Sequence, residues 1–249
     1  GGSAPSAKAA ALALQLDDWI ERILADPAQA LAGLRGVQEW AYLSEADGTG
    51  QPFTIRIPDT YNPAKRWPLE VNLHGRGGMH GTAWGEKHPM DRFVLQPLGR
   101  ARAGGYGALS EVDVLEALAY VYSHWSIDLD RVHLTGTSMG GFGTFQIGAR
   151  RPDLFATARP LCGGGLHVPL GNMLNLPTLA LHSRDDRTVP IVYARGAIDA
   201  LDRLGGMAAL DETDGVGHAI GKYTEGAERA LDWAMAQSRA PWVDRVRYT

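Results

Sequence analysis

The chain has 249 residues, of which 24 are lysine or arginine and 28 are aspartate or glutamate. This length suits one enzyme-sized domain, and the 45% share of hydrophobic residues argues against a fibrous or disordered chain. The formal net charge of −4 gives no electrostatic reason to expect nucleic acid or a membrane as a partner. No apolar run approaches the roughly 18 residues that a transmembrane helix needs.

The N-terminal residues 7–35 are rich in Ala and Leu at helical spacing, which predicts an N-terminal helical extension over residues 1–35. Two strands joined by a Gly-containing turn follow, at 40–44 and 53–57. Strands and helices then alternate. The further predicted strands are 69–73, 92–96, 131–135, 155–161, 178–182 and 208–212, and the predicted helices are 111–125, 140–150, 193–204 and 225–238.

This alternation predicts an α/β fold with a mostly parallel central sheet and helices on both faces. We found no repeat or linker that divides residues 36–249, so these are predicted to form one domain. Residues 242–249 alternate in polarity like a strand. They are interpreted either as an edge strand or as the start of a further domain that is missing from this chain.

The sequence Gly136-Thr137-Ser138-Met139-Gly140 matches G-x-S-x-G between a predicted strand and a predicted helix. A nucleophilic serine in this context sits on a sharp turn where flanking side chains would collide, which explains the glycines. The helix that follows directs its N-terminus at the reacting centre and favours developing negative charge. The alternative is a Gly-rich turn whose serine only caps the helix.

A serine hydroxyl needs a base, and the base needs a carboxylate that orients it. In this architecture the order along the chain is serine, acid, histidine, each after a strand. The acid is Asp185 or Asp186, which follow the strand ending at 182, and the base is His218, which follows the strand ending at 212. All lie beyond predicted strand ends, where open α/β sheets build their sites.

A Gly-rich turn after strand 69–73, His74-Gly75-Arg76-Gly77-Gly78, is suited to present a backbone N–H to an oxyanion. We assign the first oxyanion donor to Arg76 and the second to Met139, the residue after the nucleophile. The turn lacks the patterns of phosphate-binding loops. The histidines show no ordered metal-ligand spacing, and the single cysteine, Cys162, excludes a cysteine-based zinc site, so we expect no metal and no cofactor.

Together these residues resemble the α/β-hydrolase superfamily, in particular its prolyl-oligopeptidase-like branch of bacterial esterases and predicted peptidases. That branch includes feruloyl esterases and polyhydroxybutyrate depolymerases. The resemblance covers roughly residues 50–240 and includes the stretches at 73–78, 111–114, 127–132, 135–144, 151–156 and 162–165. It implies an α/β-hydrolase fold, a triad acid at Asp186 from H-x-x-x-D-x-x-V-P, a base at His218 and an oxyanion donor at Arg76.

The expected activity is hydrolysis of carboxylic esters, on short-chain, aromatic (feruloyl-type) or polymer-linked substrates. Candidate substrate-binding residues are Trp84, Tyr106 and His167, with Arg100 and Arg102 nearby, although aromatic residues here are equally suited to pack the loops. Cys162 is expected to be buried and not nucleophilic. A serine peptidase and a catalytically idle accessory domain are the alternatives. The family resemblance also suggests an extracellular or periplasmic enzyme.

Overall fold

The computed structural model describes residue 21 and residues 25–81 and 91–240. Eight strands and five α-helices follow one another along these residues. The strands are β1 Gly36–Leu43, β2 Gly50–Ile57, β3 Trp67–Leu73, β4 Phe93–Pro97, β5 Ile127–Thr137, β6 Thr157–Leu161, β7 Thr178–Ser183 and β8 Ala208–Thr213. The α-helices are α1 Pro27–Ala32, α2 Leu109–His124, α3 Met139–Arg150, α4 Val192–Arg203 and α5 Thr224–Met235.

The strands form one sheet in the order β1-β2-β4-β3-β5-β6-β7-β8. Strand β2 pairs antiparallel with β1 and with β4, and every other pair is parallel. The parallel strands β3, β5, β7 and β8 therefore end at the same edge of the sheet, where the loops with the predicted site residues begin. The predicted fold class is confirmed, and each strand and helix predicted between residues 36 and 240 is present.

Apolar side chains alternate toward one face of the central strands, as in Leu69, Val71 and Leu73 of β3, which are fully buried. This face packs against buried residues of α2, α3 and α4 in the main hydrophobic core. The opposite face of β6 and β7 packs against α5 in a second cluster that includes Leu181 and Ala230. Helices therefore cover both faces of the sheet, and burial of the sheet stabilises the fold.

Polar side chains occupy the second face of the central strands. Glu70 of β3 and Arg159 of β6 form a buried ion pair at 2.8 Å, and Arg92 lies 3.6 Å from the same carboxylate. Between them, His133 of β5 is bonded through Nδ1 to the Thr157 hydroxyl at 2.9 Å. Burial lowers the pKa of His133 to about 4, so its imidazole is neutral at pH 7.

Short 3-10 helices at Pro152–Leu154, Leu170–Met173 and Ile220–Lys222 were not predicted, because three or four residues carry no periodic pattern. Most of the predicted N-terminal extension and residues 242–249 lie outside the described residues. The division at residue 35 and the nature of the tail remain predictions. None of the helices in the described ranges is long and apolar enough to cross a bilayer.

The buried His133 predicts a specific acid sensitivity of the fold. An unfolded histidine titrates near 6.5 and His133 near 4, so between these pH values the unfolded chain binds more protons. The contribution of neutral His133 to the free energy of unfolding is at its maximum above about pH 6.5. It falls by an amount on the order of 3 kcal/mol as the pH drops to about 4.

Urea unfolding of the wild type and His133→Gln at pH 7.5 and 4.5 measures this contribution. We expect the wild type to lose more stability on acidification than His133→Gln. His124→Gln, which changes a histidine stacked on Tyr120 outside the polar cluster, serves as the control. Equal losses in the wild type and His133→Gln would contradict the assignment.

Candidate active site

The turn between β5 and α3 is built on extremely close backbone contacts. A Cβ at Gly140 would lie 2.0 Å from the carbonyl oxygen of Leu73 in β3, and a Cβ at Gly136 would lie 2.4 Å from the carbonyl oxygen of Gly140. Neither glycine has a positive φ, so close approach is the reason for glycine at both positions. The prediction is confirmed that Gly136 and Gly140 of the G-x-S-x-G motif leave no room for a side chain, because a Cβ would collide with neighbouring backbone atoms.

Ser138 occupies the tip of this turn with φ 57° and ψ −113°, a conformation that L-residues rarely adopt. The strain is held by hydrogen bonds on both sides. The Ser138 N–H donates to the carbonyl oxygen of Leu161 at 2.9 Å, and the Phe142 N–H donates to the carbonyl oxygen of Ser138 at 3.0 Å. The turn therefore holds the serine hydroxyl at the partly exposed edge of the sheet.

Three side chains from separate loops form a continuous hydrogen-bonded chain at this edge. The Ser138 Oγ lies 2.9 Å from His218 Nε2, and His218 Nδ1 lies 2.7 Å from Asp186 Oδ2. Since a carboxylate only accepts, Nδ1 carries the proton and Nε2 is free to accept the one on Ser138. The structure thus brings together the three predicted residues in the order that nucleophilic catalysis requires.

The Asp186 carboxylate is completely buried and fully hydrogen-bonded. Its Oδ1 accepts the N–H groups of Thr188 at 2.9 Å and Val189 at 3.0 Å. Burial opposes ionisation, but the bonds from His218, Val189 and Thr188 outweigh it and hold the pKa of Asp186 below its usual value. A second buried histidine, His182, lies 3.3 Å from Oδ2 through its Nε2. Asp186 is therefore a fixed anion behind His218.

The neighbouring Asp185 has a different environment. Its Oδ1 accepts the Ser183 hydroxyl and the N–H groups of Gly215 at 3.1 Å and Gly217 at 3.2 Å. The bond from Ser183, followed by those from the loop amides, holds the pKa of Asp185 below its usual value. Of the two carboxylates that the sequence left open, only Asp186 contacts the His218 ring.

The predicted oxyanion turn lies directly against the serine. A Cβ at Gly75 would lie 3.7 Å from the Cβ of Ser138. The Gly75 carbonyl oxygen accepts the Gly78 N–H at 3.0 Å and lies 2.8 Å from His74 Nδ1. In a trans peptide the next N–H, that of Arg76, points the opposite way from this carbonyl, out of the turn.

The turn is held from outside by Arg102. Its backbone carbonyl accepts the Gly77 N–H at 2.6 Å, and its Nε and Nη2 donate to the Gly77 carbonyl oxygen at 3.0 and 2.6 Å. The second predicted donor, Met139, begins α3, so its N–H is one of the four that a helix leaves without an intrahelical acceptor. Met139 directly follows Ser138, and Gly75, the residue before Arg76, lies against Ser138. The roles of Arg76 and Met139 as oxyanion donors remain predictions.

The expectation that Tyr106 contacts substrate does not fit its position. The side chain is fully buried, and its hydroxyl donates to the carbonyl oxygen of His74 at 3.1 Å. Its ring fills the space over Gly99 and Gly143, where a Cβ at Gly143 would lie 2.4 Å from the ring. Tyr106 packs beneath the oxyanion turn because a large apolar ring gains more from burial than from exposure. For Tyr106, the alternative that the aromatic ring packs the loops is therefore the one that fits the structure.

The other candidate substrate residues have mixed outcomes. Trp84 lies outside the described residues. His167 is exposed after β6 with φ 55°, and its predicted role stays untested. Arg100 forms ion pairs with Asp47 in the β1–β2 turn and with Glu116 of α2, and so serves the scaffold.

Cys162 is buried beside the hydrogen-bonded chain, as expected. Metal-binding atoms of Cys162, Asp186 and His218 lie within 4.8 Å of one another. Burial raises the pKa of the Cys162 thiol to about 12, which keeps it neutral and a poor ligand. The nitrogens of His218 and the carboxylate of Asp186 are already hydrogen-bonded. The cluster is therefore better suited to proton transfer than to a metal ion.

Sequence comparison relates the chain to known hydrolases. The chain is 31% identical over 186 residues to cutinase 2 from Thermobifida cellulosilytica, covering 64% of this chain and 68% of that protein. The chain belongs to the cutinase family of α/β-hydrolases. It has the same identity to a cutinase from Thermobifida fusca, of which it covers 56%. No family model matches the chain.

Solved structures give the same result for the fold. A thermostable esterase superposes with a TM-score of 0.72 at 25% identity, covering 82% of this chain and 63% of the esterase. A ferulic acid esterase from Anaeromyces mucronatus superposes with a TM-score of 0.67 at 16% identity, covering 82% of this chain and 92% of the esterase. The latter shows the shared fold alone.

These comparisons confirm the predicted superfamily and the class of serine carboxylic ester hydrolase. The relatives with detectable sequence identity named above are cutinases, which do not favour the peptidase or the accessory-domain alternative. Two features of the site were missed from the sequence, namely the contacts of Asp185 with the His218 loop and those of Arg102 with the oxyanion turn. Their partners are distant in sequence, and no motif signals them.

The close contacts of the serine turn predict that Gly140→Ala is severely destabilising. The added Cβ would meet backbone atoms of β3, which cannot move without disrupting the sheet. We expect a loss of about 3 kcal/mol or more in the free energy of unfolding. Gly196→Ala is the control, because Gly196 lies in α4 with nothing within 4 Å of its Cβ position. Urea unfolding should show the control to be neutral or up to about 1 kcal/mol more stable. A Gly140→Ala protein as stable as the wild type would contradict the collision.

Proposed function

We propose that the chain hydrolyses carboxylic esters through an acyl-enzyme formed on Ser138. The observation that carries the proposal is the unbroken hydrogen-bonded chain from Ser138 through His218 to Asp186, at 2.9 and 2.7 Å. These distances lie within the range for proton transfer between heavy atoms. The sequence relationship to cutinases supports the same reaction class.

In the first half of the reaction, Ser138 Oγ attacks the ester carbonyl carbon while its proton passes to His218 Nε2. Asp186 keeps Nδ1 protonated and stabilises the imidazolium that forms. The N–H groups of Arg76 and Met139 bind the oxygen that becomes negatively charged, and the N-terminus of α3 adds a favourable dipole. His218 then gives the proton to the leaving alcohol, and the acyl group stays on Ser138.

In the second half, water replaces the alcohol. His218 takes a proton from the water as it attacks the acyl carbon, and returns it to Ser138 as the acid leaves. The site needs no cofactor for this cycle, since the protein groups supply every proton transfer. Because Asp186 is fixed by two backbone N–H groups, its orientation need not change between the two halves.

We infer that the substrates are small-molecule or polymer-linked esters with an apolar acyl or alcohol group. Leu166, Val192 and Tyr193 are exposed hydrophobic residues, and the Tyr193 ring lies 6.3 Å from that of Phe142, four residues after Ser138. A group of exposed apolar side chains marks a binding surface. Short-chain, feruloyl-type and polyester substrates share this apolar character, and cutinase relatives support the polymer-linked class.

An extracellular or periplasmic location, a catalytic domain at 36–249 and a flanking domain outside this chain belong to the same proposal. Neither nucleic acid nor membrane is proposed as a partner, in keeping with the low net charge of −4.

The nucleophile is tested with Ser138→Ala. We expect the wild type to react with a fluorophosphonate probe and to hydrolyse p-nitrophenyl acetate, and Ser138→Ala to lose labelling and roughly 10⁶-fold in kcat. Ser123→Ala, at an exposed serine of α2 distant from the sheet edge, should retain both. Hydrolysis by Ser138→Ala at the wild-type rate, or a wild type without labelling, would overturn the proposed function.

The apolar surface is tested with Tyr193→Ala. We expect KM for p-nitrophenyl hexanoate or methyl ferulate to rise roughly tenfold, since the ring contributes about 1 to 2 kcal/mol of apolar contact. kcat for p-nitrophenyl acetate should stay unchanged. The control is Met207→Ala. Met207 is also an exposed hydrophobic residue, but it precedes β8, whereas the loop with His218 follows β8. An equal rise in KM for p-nitrophenyl acetate and p-nitrophenyl hexanoate would contradict a role of Tyr193 in binding the apolar group.

A further inference from the structure

The loop that carries His218 is partly open to solvent, since none of residues 214–219 is buried. It follows β8 and contains Gly215 at φ 78° and Gly217 at φ 54°, two residues that cost more ordering entropy than others. The side chain of His218 is 28% exposed, so packing alone does not fix it. Something must restrain the backbone immediately before the base.

Asp185 supplies this restraint. Its Oδ1 accepts the N–H groups of Gly215 at 3.1 Å and Gly217 at 3.2 Å, one residue before the base. The fully buried Ser183 donates to the same oxygen from the end of β7, which orients the carboxylate. A bond to an ionised acceptor is stronger than one between neutral groups.

The two adjacent carboxylates therefore divide the work. Asp186 contacts the ring of His218, and Asp185 contacts the backbone that carries it. Asp185 and Asp186 both lie in the turn that follows β7. The His218 ring and the backbone before it are therefore positioned by the same strand. We propose that Asp185 is a positioning residue, which holds the His218 loop so that Nε2 stays within reach of the Ser138 hydroxyl.

This inference rests on the proposed function, because it assumes that His218 acts as the base. The test compares Asp185→Ala, Asp185→Asn and Asp214→Ala in the full chain. Asp214 is exposed on the same loop and pairs with Arg184, so its removal controls for a general loss of negative charge there. p-Nitrophenyl acetate turnover is measured well below the melting temperature of each variant.

We expect Asp185→Ala to lower kcat by roughly 10- to 100-fold with KM within about twofold of the wild type, as a displaced base predicts. Asp185→Asn retains an oxygen acceptor for the two N–H groups and should recover most of this loss. Asp214→Ala should match the wild type. Wild-type kcat in Asp185→Ala, or an Asp185→Asn as impaired as Asp185→Ala, would overturn the proposal.

If Asp185→Ala does not fold, Ser183→Ala takes its place, since it removes the donor that orients Asp185. Amide hydrogen exchange at Gly215 and Gly217 should then be faster than in the wild type, with a smaller loss in kcat. Unchanged exchange would overturn the proposal.

Fluorophosphonate labelling of the wild type distinguishes failure of the proposed function from failure of this inference about Asp185. No labelling means that the proposed function fails, whereas labelling with fully active Asp185 variants means that only this inference fails.

Discussion

The approach of three backbone segments at one point determines the geometry of the whole site. The serine turn meets the end of β3 at Gly140 and Leu73, and α3 meets the segment after β6 at Gly141 and Gly163, each with room for no more than a hydrogen atom. The position of Ser138 is therefore set by the sheet itself. Close packing of this kind leaves the strained serine no lower-energy conformation to relax into.

Everything else in the site is arranged around that fixed point by hydrogen bonds. The turn at residues 74–78 is held by Arg102 and Tyr106, and His218 is bonded to Asp186 just after the end of β7. The Asp186 carboxylate is held in place because it is buried and accepts two backbone N–H groups, whereas His218 is partly exposed on a glycine-containing loop. This difference between the two residues suits the proposed role of His218, which is to exchange protons with substrate and water.

The second face of the sheet shows a different solution to burial. Glu70 and Arg159 are paired in the interior, and His133 is kept neutral beside them. A buried pair of this kind contributes little net stability, since the cost of removing both charges from water offsets their attraction. Removal of Glu70 would leave the buried Arg159 without its counter-charge, so the pair constrains which sequences can form this sheet.

The sequence by itself determined the strand and helix order, the serine turn and the chain order of Ser138, acid and His218. These follow from local patterns, namely alternation of apolar residues and the glycines at 136 and 140. Only the tertiary structure decided that Asp186 contacts His218 while Asp185 contacts the loop backbone, because two adjacent residues on a turn point in different directions. It also decided that Tyr106 is buried under the oxyanion turn, since that position depends on Gly99 and Gly143, residues on two other segments that only folding brings together.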